Sequence, residues 1–392
     1  MILKDRRIVL GVTGAISAYK ALEITRLLVK EEAAVFPVMT GNAERFITAL
    51  SLSTLARRKV YTDLFDGKED ITHIELAQRT DLIIVAPATA NFIGKAAGGI
   101  ADDLLTTIVM AASAPVLVAP SMNTRMWENP VVKDNVERLK RLGYLFAGPA
   151  EGELACGSEG AGRLADPADI IEAAEEALSK KDLRGEKALV TAGPTREAID
   201  PVRFVSNASS GRMGYALAKA ARRRGAEVVL VSGPTHLKKP EGITFVHVVS
   251  ADEMREACIT YYPQSTLVIM AAAVADYRPL KSSPTKVKKE AVSLTLDMQR
   301  TEDVLKHMGR KKKGQFLVGF ALETENLEEN AKKKLREKNL DMVVANSQWG
   351  LDSEYNEVTI INKENDVERL PSLRKREVAE RILDSVVRLK SA

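Results

Sequence analysis

Residues 7–30 read RIVLGVTGAISAYKALEITRLLVK, and the order of residue types there decides the fold. Residues 7–12 are an aliphatic run with no polar alternation, the pattern of a strand buried on both faces. Gly11 and Gly14 mark a turn, and the helical spacing of apolar residues predicts an amphipathic helix from Ser17 to Lys30. Working outward, AVFPVM (34–39), DLIIVA (81–86) and PVLVA (115–119) read as further strands separated by helical stretches. Uninterrupted aliphatic strands alternating with helices predict a parallel sheet covered on both faces.

The pattern restarts at residue 187. KALVTAGPT (187–195) is a strand and turn, SSGRMGYALAKAARRRG (209–225) opens a helix, and AEVVLVSGP (226–234), TLVIMAAAVADY (266–277), QFLVGFALET (315–324) and LDMVVANS (340–347) supply more strands. YNEVTIIN (355–362) reads as an edge strand and VAERILDSVVRL (378–389) as a closing helix. The fold class is therefore α/β, with two doubly wound, Rossmann-like domains. The charged stretch SKKDLRGE (179–186) reads as a linker, which gives domains 1–183 and 184–392. The chain of 392 residues fits two or three domains on length alone.

Composition narrows the classes. With 45% hydrophobic and 28% charged residues the chain is neither disordered, collagen-like nor a disulfide scaffold. Lys and Arg number 57 against 53 Asp and Glu, too balanced for bulk nucleic-acid binding. The two cysteines, Cys156 and Cys258, cannot make a zinc site alone and do not suggest an oxidising compartment. The basic then apolar start reads as a first strand, not a signal peptide, and no apolar run approaches the roughly 18 residues of a membrane span. A cytoplasmic protein without membrane partners is expected.

In the first half, three strand ends carry small donor residues: GVTGAISAYK with Gly11, Thr13, Gly14 and Ser17; MTGNA with Thr40; and APATAN with Thr89. Open α/β sheets bind ligands at such carboxyl ends. The first segment is neither a dinucleotide fingerprint nor a Walker loop, and a plain strand–helix turn and a phosphate cradle are equally weighted for it. His73 in DITHIEL reads as a surface or capping histidine and Asn123 in APSMNTRMW as a turn asparagine. Cys156 lies in a Gly-rich loop, GELACGSEGAGRL, where a reactive thiol is more plausible than a buried one.

Together these motifs, with ADDLL after a glycine pair, resemble the flavin-binding cysteine decarboxylases, most closely phosphopantothenoylcysteine decarboxylase, over residues 5–178. The resemblance implies a flavoprotein fold with FMN on Gly11, Thr13, Gly14, Ser17, Thr40 and Thr89. It also implies a catalytic base at His73, an amide at Asn123 that holds the substrate carboxylate, with Met126 nearby, and a proton-donating thiol at Cys156.

In the second half about 18 residues separate Gly193 from Gly211, far more than a usual βα connection, and they are rich in donors and cations. Tyr215 and Lys219 copy a dehydrogenase pair, but they lie on the first helix after the turn and read as two residues on one helix face. Lys286, Lys288 and Lys289, the RKKKG stretch at 310–314, and Lys334 with Lys338 read individually as solvated faces. As a set, AGPTREAIDPVRFVSNASSGRMG, AAAVADYRP, the run at Lys286, GFALET and AKKKLREKNLD resemble phosphopantothenate–cysteine ligase from residue 187 to about 385.

That resemblance implies CTP as cosubstrate, Mg²⁺ with unassigned ligands, and an acyl-cytidylate contacted by Asn207, with Arg203 and Gly211 at the substrate. It places the nucleotide on Ala271, Ala272, Asp276, Lys286, Asp303, Phe320, Lys334 and Lys338. Lys286 is the candidate for stabilising charge on the phosphates. After Gln299 the chain reads TEDVL where the family has an Asn-Pro-Asp-Ile-like stretch, with Asp303 keeping its place. The whole chain resembles the bifunctional enzymes that join these steps of coenzyme A biosynthesis, acting on 4′-phosphopantothenate, cysteine and CTP. The family implies a homo-oligomer, with trimers of the first domain linked by dimers of the second. Two alternatives are another flavin enzyme, such as a flavin prenyltransferase or peptidyl-cysteine decarboxylase, and a non-catalytic regulatory flavoprotein. Retention of both Asn123 and Cys156 argues against the regulator.

Overall fold

The computed structural model describes residues 2–65, 72–153, 157, 159–287, 295–322, 325–346 and 353–391; Cys156, Lys288 and Lys289 lie outside them. The chain divides into two compact units, Met1–Ser179 and Lys180–Ala392.

In the first unit β1 (Arg7–Val12), β2 (Ala34–Met39), β3 (Leu82–Ala88), β4 (Val116–Pro120) and β5 (Leu145–Phe146) form a parallel sheet in the order β2-β1-β3-β4-β5. The helices are α1 (Lys20–Lys30), α2 (Ala49–Ala56), α3 (Thr72–Arg79), α4 (Ala90–Gly98), α5 (Leu104–Ala111), α6 (Thr124–Trp127), α7 (Pro130–Arg141) and α8 (Pro167–Leu178). Alternate side chains of β1 enter two cores: Ile8, Leu10 and Val12 meet Ile24 and Leu28 of α1, while Val9 joins Ile108 of α5. The ADDLL motif is a helix start. Asp103 caps α5 in a reciprocal pair with Thr106, and Lys95 binds Asp102 at 2.7 Å. The sequence did not announce β5, which is only two residues long, or the antiparallel ribbon β6 (Ala150–Glu153) and β7 (Glu159–Arg163), where glycines replace the apolar alternation of a strand.

In the second unit the sheet order is β12-β11-β8-β13-β16-β17-β18-β19. Its strands are β8 (Lys187–Ala192), β11 (Glu227–Ser232), β12 (Thr244–His247), β13 (Leu267–Met270), β16 (Phe316–Leu322), β17 (Met342–Asn346), β18 (Tyr355–Asn362) and β19 (Val367–Arg374). The first six in spatial order are parallel and the last two antiparallel. Helices α9 (Arg212–Arg223), α10 (Ala251–Tyr261), α11 (Val304–Lys311), α12 (Leu327–Glu337) and α13 (Lys375–Lys390) cover it, and two ribbons stand apart: β9 (Arg196–Ala198) with β10 (Phe204–Ser206), and β14 (Tyr277–Pro279) with β15 (Met298–Arg300).

Four readings change. The expected edge strand 355–362 is interior, because the polar, proline-containing 367–374 pairs outside it; an edge strand tolerates Pro371, whose missing N–H costs no ladder bond there. The stretch read as a linker is pinned to the second unit. Leu183 is buried, the Lys181 ammonium donates to the Arg223 carbonyl at 2.7 Å, and the buried Arg224 guanidinium grips Asp182 at 2.7 and 2.8 Å. In the RKKKG stretch Lys312 is no solvated lysine, since it binds Asp341 at 2.6 Å. The long loop after β8 contains the β9–β10 ribbon. Cys258 is buried in the core, and burial pushes its thiol up to about 12.

Candidate active sites

In the first unit the strand order reverses between β1 and β3, and a crevice at such a reversal is where open sheets bind ligands. Thr13 joins the two strand ends. Its hydroxyl donates to the Pro87 carbonyl at 2.8 Å and accepts from the Thr89 N–H at 3.0 Å. The chain then enters a 3₁₀ turn, Ile16–Tyr19, that has no side-chain cap, and the N–H groups of such a first turn have no partner within the helix. A Cβ on Gly14 would sit 2.5 Å from the Asn42 Cβ, so only glycine lets the loops after β1 and β2 approach this closely. Ser17 shares a 2.7 Å hydroxyl bond with Ser121, beyond β4, and Thr89 caps α4. Thr40 follows β2, its N–H bonded to the Val12 carbonyl at 3.1 Å. Gly11 lies inside β1, where its missing side chain makes room for Leu105 of α5. The result is a donor-rich cradle at the ends of four strands.

Asn123 caps α6 by accepting the Arg125 N–H at 2.9 Å, and Met126 is exposed one turn on. The β6–β7 ribbon, whose connection contains Cys156, is laid against this segment. The Met122 N–H donates to the Gly162 carbonyl at 2.9 Å. A Cβ at Gly162 would be 2.3 Å from the Met122 carbonyl oxygen, and one at Gly160 would be 2.8 Å from Thr124. Glycine spacing thus brings the base of the cysteine loop onto the asparagine segment. His73 is half-buried in the first turn of α3. The far end of that helix leads to Thr80, whose hydroxyl bonds the Arg7 carbonyl at 2.9 Å, at the start of β1. The helix therefore runs against the strands and lifts His73 about 9 Å from Arg79 toward the carboxyl ends.

In the second unit the order reverses between β8 and β13. The segments after these strands are tied together: the Ala273 N–H donates to the Gly193 carbonyl at 2.9 Å and the Ala275 N–H to the Thr195 hydroxyl at 3.0 Å. Asn207, just past β10, donates its amide to the carbonyls of Ala273 (3.2 Å) and Val274 (3.1 Å). Two carbonyl partners require the nitrogen on that side and turn the amide oxygen away from them. Gly211, at positive φ before α9, approaches Gly193 so closely that a Cβ would be 3.2 Å from its Cα.

Asp276 joins the next ribbon through the Thr301 N–H at 2.9 Å, two residues before Asp303. Asp303 caps α11 and binds the Lys338 ammonium at 2.7 Å. Burial would raise its carboxyl pKa, but the bonds from Lys338 and the Lys306 N–H, with Lys334 nearby, hold it below the usual range. The predicted face carrying Lys334 and Lys338 is thus directed at α11. Ala271 and Phe320 pack on the core beneath α9 and α13, whereas Ala272, Leu305 and Leu335 pack on the opposite core. The residues assigned to the nucleotide therefore straddle both faces of the sheet. Lys286 is exposed, in a segment fastened by Asp200, a residue the sequence reading passed over although an Asp before Pro is a known turn former. Tyr215 is buried, its hydroxyl shared with Ser232 (3.3 Å) and Thr235 (3.2 Å).

Residues 2–179 match the family described as Flavoprotein, and residues 183–389 the family described as DNA/pantothenate metabolism flavoprotein C-terminal domain. The chain is 48% identical over 397 residues to the coenzyme A biosynthesis bifunctional protein CoaBC of Bacillus subtilis, covering 99% of this chain and 98% of that one. It is 44% identical over 371 residues to the protein of the same name from Vibrio cholerae, covering 92% and 93%. A crystal structure of the C-terminal domain of a CoaBC protein shares 48% identity over 54% of this chain and 99% of that one, with a TM-score of 0.48. The chain belongs to the CoaBC family of coenzyme A biosynthesis bifunctional proteins.

Proposed function

We propose that the chain performs two successive steps of coenzyme A biosynthesis: the second unit, residues 180–392, joins cysteine to 4′-phosphopantothenate at the expense of CTP, and the first, residues 1–179, decarboxylates the product to 4′-phosphopantetheine. The observation that carries this reading is the near-complete overlap with relatives named as bifunctional, at 48% identity. The gathering of each motif set at the reversal of its own sheet supports it.

A carboxylate resists an amine because its leaving group would be oxide. In the ligase step the carboxylate oxygen of 4′-phosphopantothenate bonds to the α-phosphorus of CTP and pyrophosphate leaves. The cysteine nitrogen then bonds to the acyl carbon, and CMP and a proton depart. Asn207 holds the acyl cytidylate with the amide edge turned from Ala273 and Val274, beside Arg203 and Gly211. Lys286 offsets charge on the departing phosphates, where Mg²⁺ would enter on phosphate oxygens. Ala271, Ala272, Asp276, Asp303, Phe320, Lys334 and Lys338 line the nucleotide crevice.

The cradle around Gly14, Ser17, Thr40 and Thr89, with Gly11 and Thr13 fixing its floor, suits the phosphate end of FMN. These residues would hold FMN, which would supply a two-electron acceptor and then donor. His73 takes a proton from the substrate's thiol or Cα. Oxidation at the carbon bearing sulfur gives the electrons of the breaking C–C bond a sink, so CO₂ leaves while Asn123, with Met126 beside it, holds the carboxylate. Cys156 would give its thiol proton to the resulting enethiolate as that product takes up the two electrons withdrawn earlier.

We assign the chain to the cytoplasm as a homo-oligomer, with trimers of the first domain linked by dimers of the second. Exposed Ile16, Tyr19 and Leu50 in one unit, and Val202 and Phe204 in the other, supply apolar surface for such contacts. The test is optical. The purified protein is expected to be yellow and to bleach on addition of 4′-phosphopantothenoylcysteine; a colourless protein that takes up no flavin refutes the decarboxylase reading.

A further inference from the structure

We propose that Asp200 is a positioning residue of the ligase site, clasping the segment that carries Lys286 to the loop that carries Arg203 and Asn207. The proposal rests on the ligase reading of this unit. Asp200 is only 3% exposed, yet it carries a carboxylate between two loops. One oxygen, Oδ1, accepts the N–H groups of Val202 and Arg203, both at 2.8 Å. The other, Oδ2, accepts the N–H of Val287 at 3.1 Å, across 87 positions of sequence, with the Arg203 guanidinium 3.5 Å away. A second point of attachment lies beside it, where the Ser283 N–H donates to the Ile199 carbonyl at 2.9 Å. Burial pushes the carboxyl pKa up, but the three N–H groups and Arg203 outweigh it and hold the pKa below the usual range, so the clasp stays anionic.

Val287 is the neighbour of Lys286, so the bond to Oδ2 fixes the backbone from which the lysine reaches. The same carboxylate orders the turn that presents Arg203. Asp200 touches no reacting atom in this scheme. It sets the distance between the group that meets the phosphates and the groups that meet the acyl chain. Misplacement of such a pair by about 1 Å can cost about a hundredfold in rate.

Asp200→Asn separates the two halves of the clasp. The amide oxygen can still accept from Val202 and Arg203, but its NH₂ then faces the Val287 N–H and the Arg203 cation, donor against donor. Val287→Pro removes the same bond from the other side and leaves Asp200 untouched. The experiment combines hydrogen–deuterium exchange over residues 280–287 with single-turnover pyrophosphate release from CTP and 4′-phosphopantothenate, on the full chain. Both variants are expected to exchange faster at 283–286 and to release pyrophosphate about 10- to 100-fold more slowly, with the burst amplitude unchanged. The double variant should be no slower than the slower single one, because both changes remove one bond. Wild-type exchange, faster exchange with a wild-type rate, or a lowered amplitude at an unchanged rate each overturns the proposal, the last because it reports lost folded protein rather than lost positioning. A wild-type chain that releases no pyrophosphate overturns the ligase reading and the proposal together; a normal wild-type burst with unaffected variants overturns the proposal alone.

Discussion

Replacing Gly162 by alanine should disconnect the cysteine loop from the asparagine segment without disturbing the second unit. Gly162 has φ of +140°, a region that costs an L side chain about 1–3 kcal/mol. The new Cβ would lie 2.3 Å from the Met122 carbonyl oxygen. Even a close carbon–oxygen contact needs about 3.3 Å, so β7 and the Met122 segment must part by about 1 Å. That movement breaks the bond from the Met122 N–H to the Gly162 carbonyl, now 2.9 Å, for about 1 kcal/mol more. The sum, about 2–4 kcal/mol, shifts docking of the β6–β7 ribbon by about 30- to 700-fold. Decarboxylation of supplied 4′-phosphopantothenoylcysteine should fall by a comparable factor in kcat/KM, and the Met122 amide should exchange faster. Ligation by the same preparation should stay within about twofold, because the substitution lies in the other of the two compact units. Wild-type decarboxylation by Gly162→Ala would refute the reasoning, as would parallel loss of ligation.

Arg224→Met should lower the stability of the second unit by about 2–3 kcal/mol, the low end for breaking a buried ion pair because its partners are partly exposed; calorimetry showing no change would remove the clamp on Asp182 from the account. Asn207→Asp should abolish most ligation while sparing decarboxylation, since a carboxylate cannot donate to the carbonyls of Ala273 and Val274 and would be repelled by them; a variant with near-normal ligation contradicts that placement. Acid should weaken the second unit. At Asp182, Glu186 and Asp303 burial opposes charge, but Arg224, Lys390 and Lys338 respectively outweigh it and hold each carboxyl below its unfolded value of 3.8 for Asp or 4.5 for Glu. Below those unfolded values the unfolded chain binds protons that the folded one refuses. This stabilisation is therefore complete above about pH 4.5 and lost as pH falls through the folded values. Denaturant midpoints that stay flat or rise on acidification from pH 5 would contradict it.

Most of the fold was legible because buried parallel strands need unbroken aliphatic runs, as at 7–12, 187–192 and 267–270. What escaped follows another rule. The edge strand 367–374 is polar and contains proline because an outermost strand has one bonded side, and the β6–β7 ribbon trades apolar residues for the glycines that let it lie against Met122. Gly14 and Asn123 lie just past β1 and β4, as expected of residues that follow aliphatic runs, whereas Asn207 follows the β9–β10 ribbon and was singled out only by resemblance. Asp200 could not be found that way. The Asp-Pro pair marks a turn, but the bond that ties Asp200 to Val287 spans 87 positions, a separation no local pattern encodes. The pairing of Lys338 with Asp303 was hidden for the same reason, since the helix pattern gives the face of the lysines but not what the face meets.

The most direct test of the two-step account follows the carboxyl carbon of cysteine. Cysteine labelled with ¹³C at its carboxyl group is given to the purified chain with 4′-phosphopantothenate and CTP. The account predicts labelled CO₂ and unlabelled 4′-phosphopantetheine, strictly dependent on CTP, a dependence that disappears when 4′-phosphopantothenoylcysteine is supplied directly. Labelled CO₂ without CTP, or no labelled CO₂ at all from a flavin-loaded chain, would contradict it.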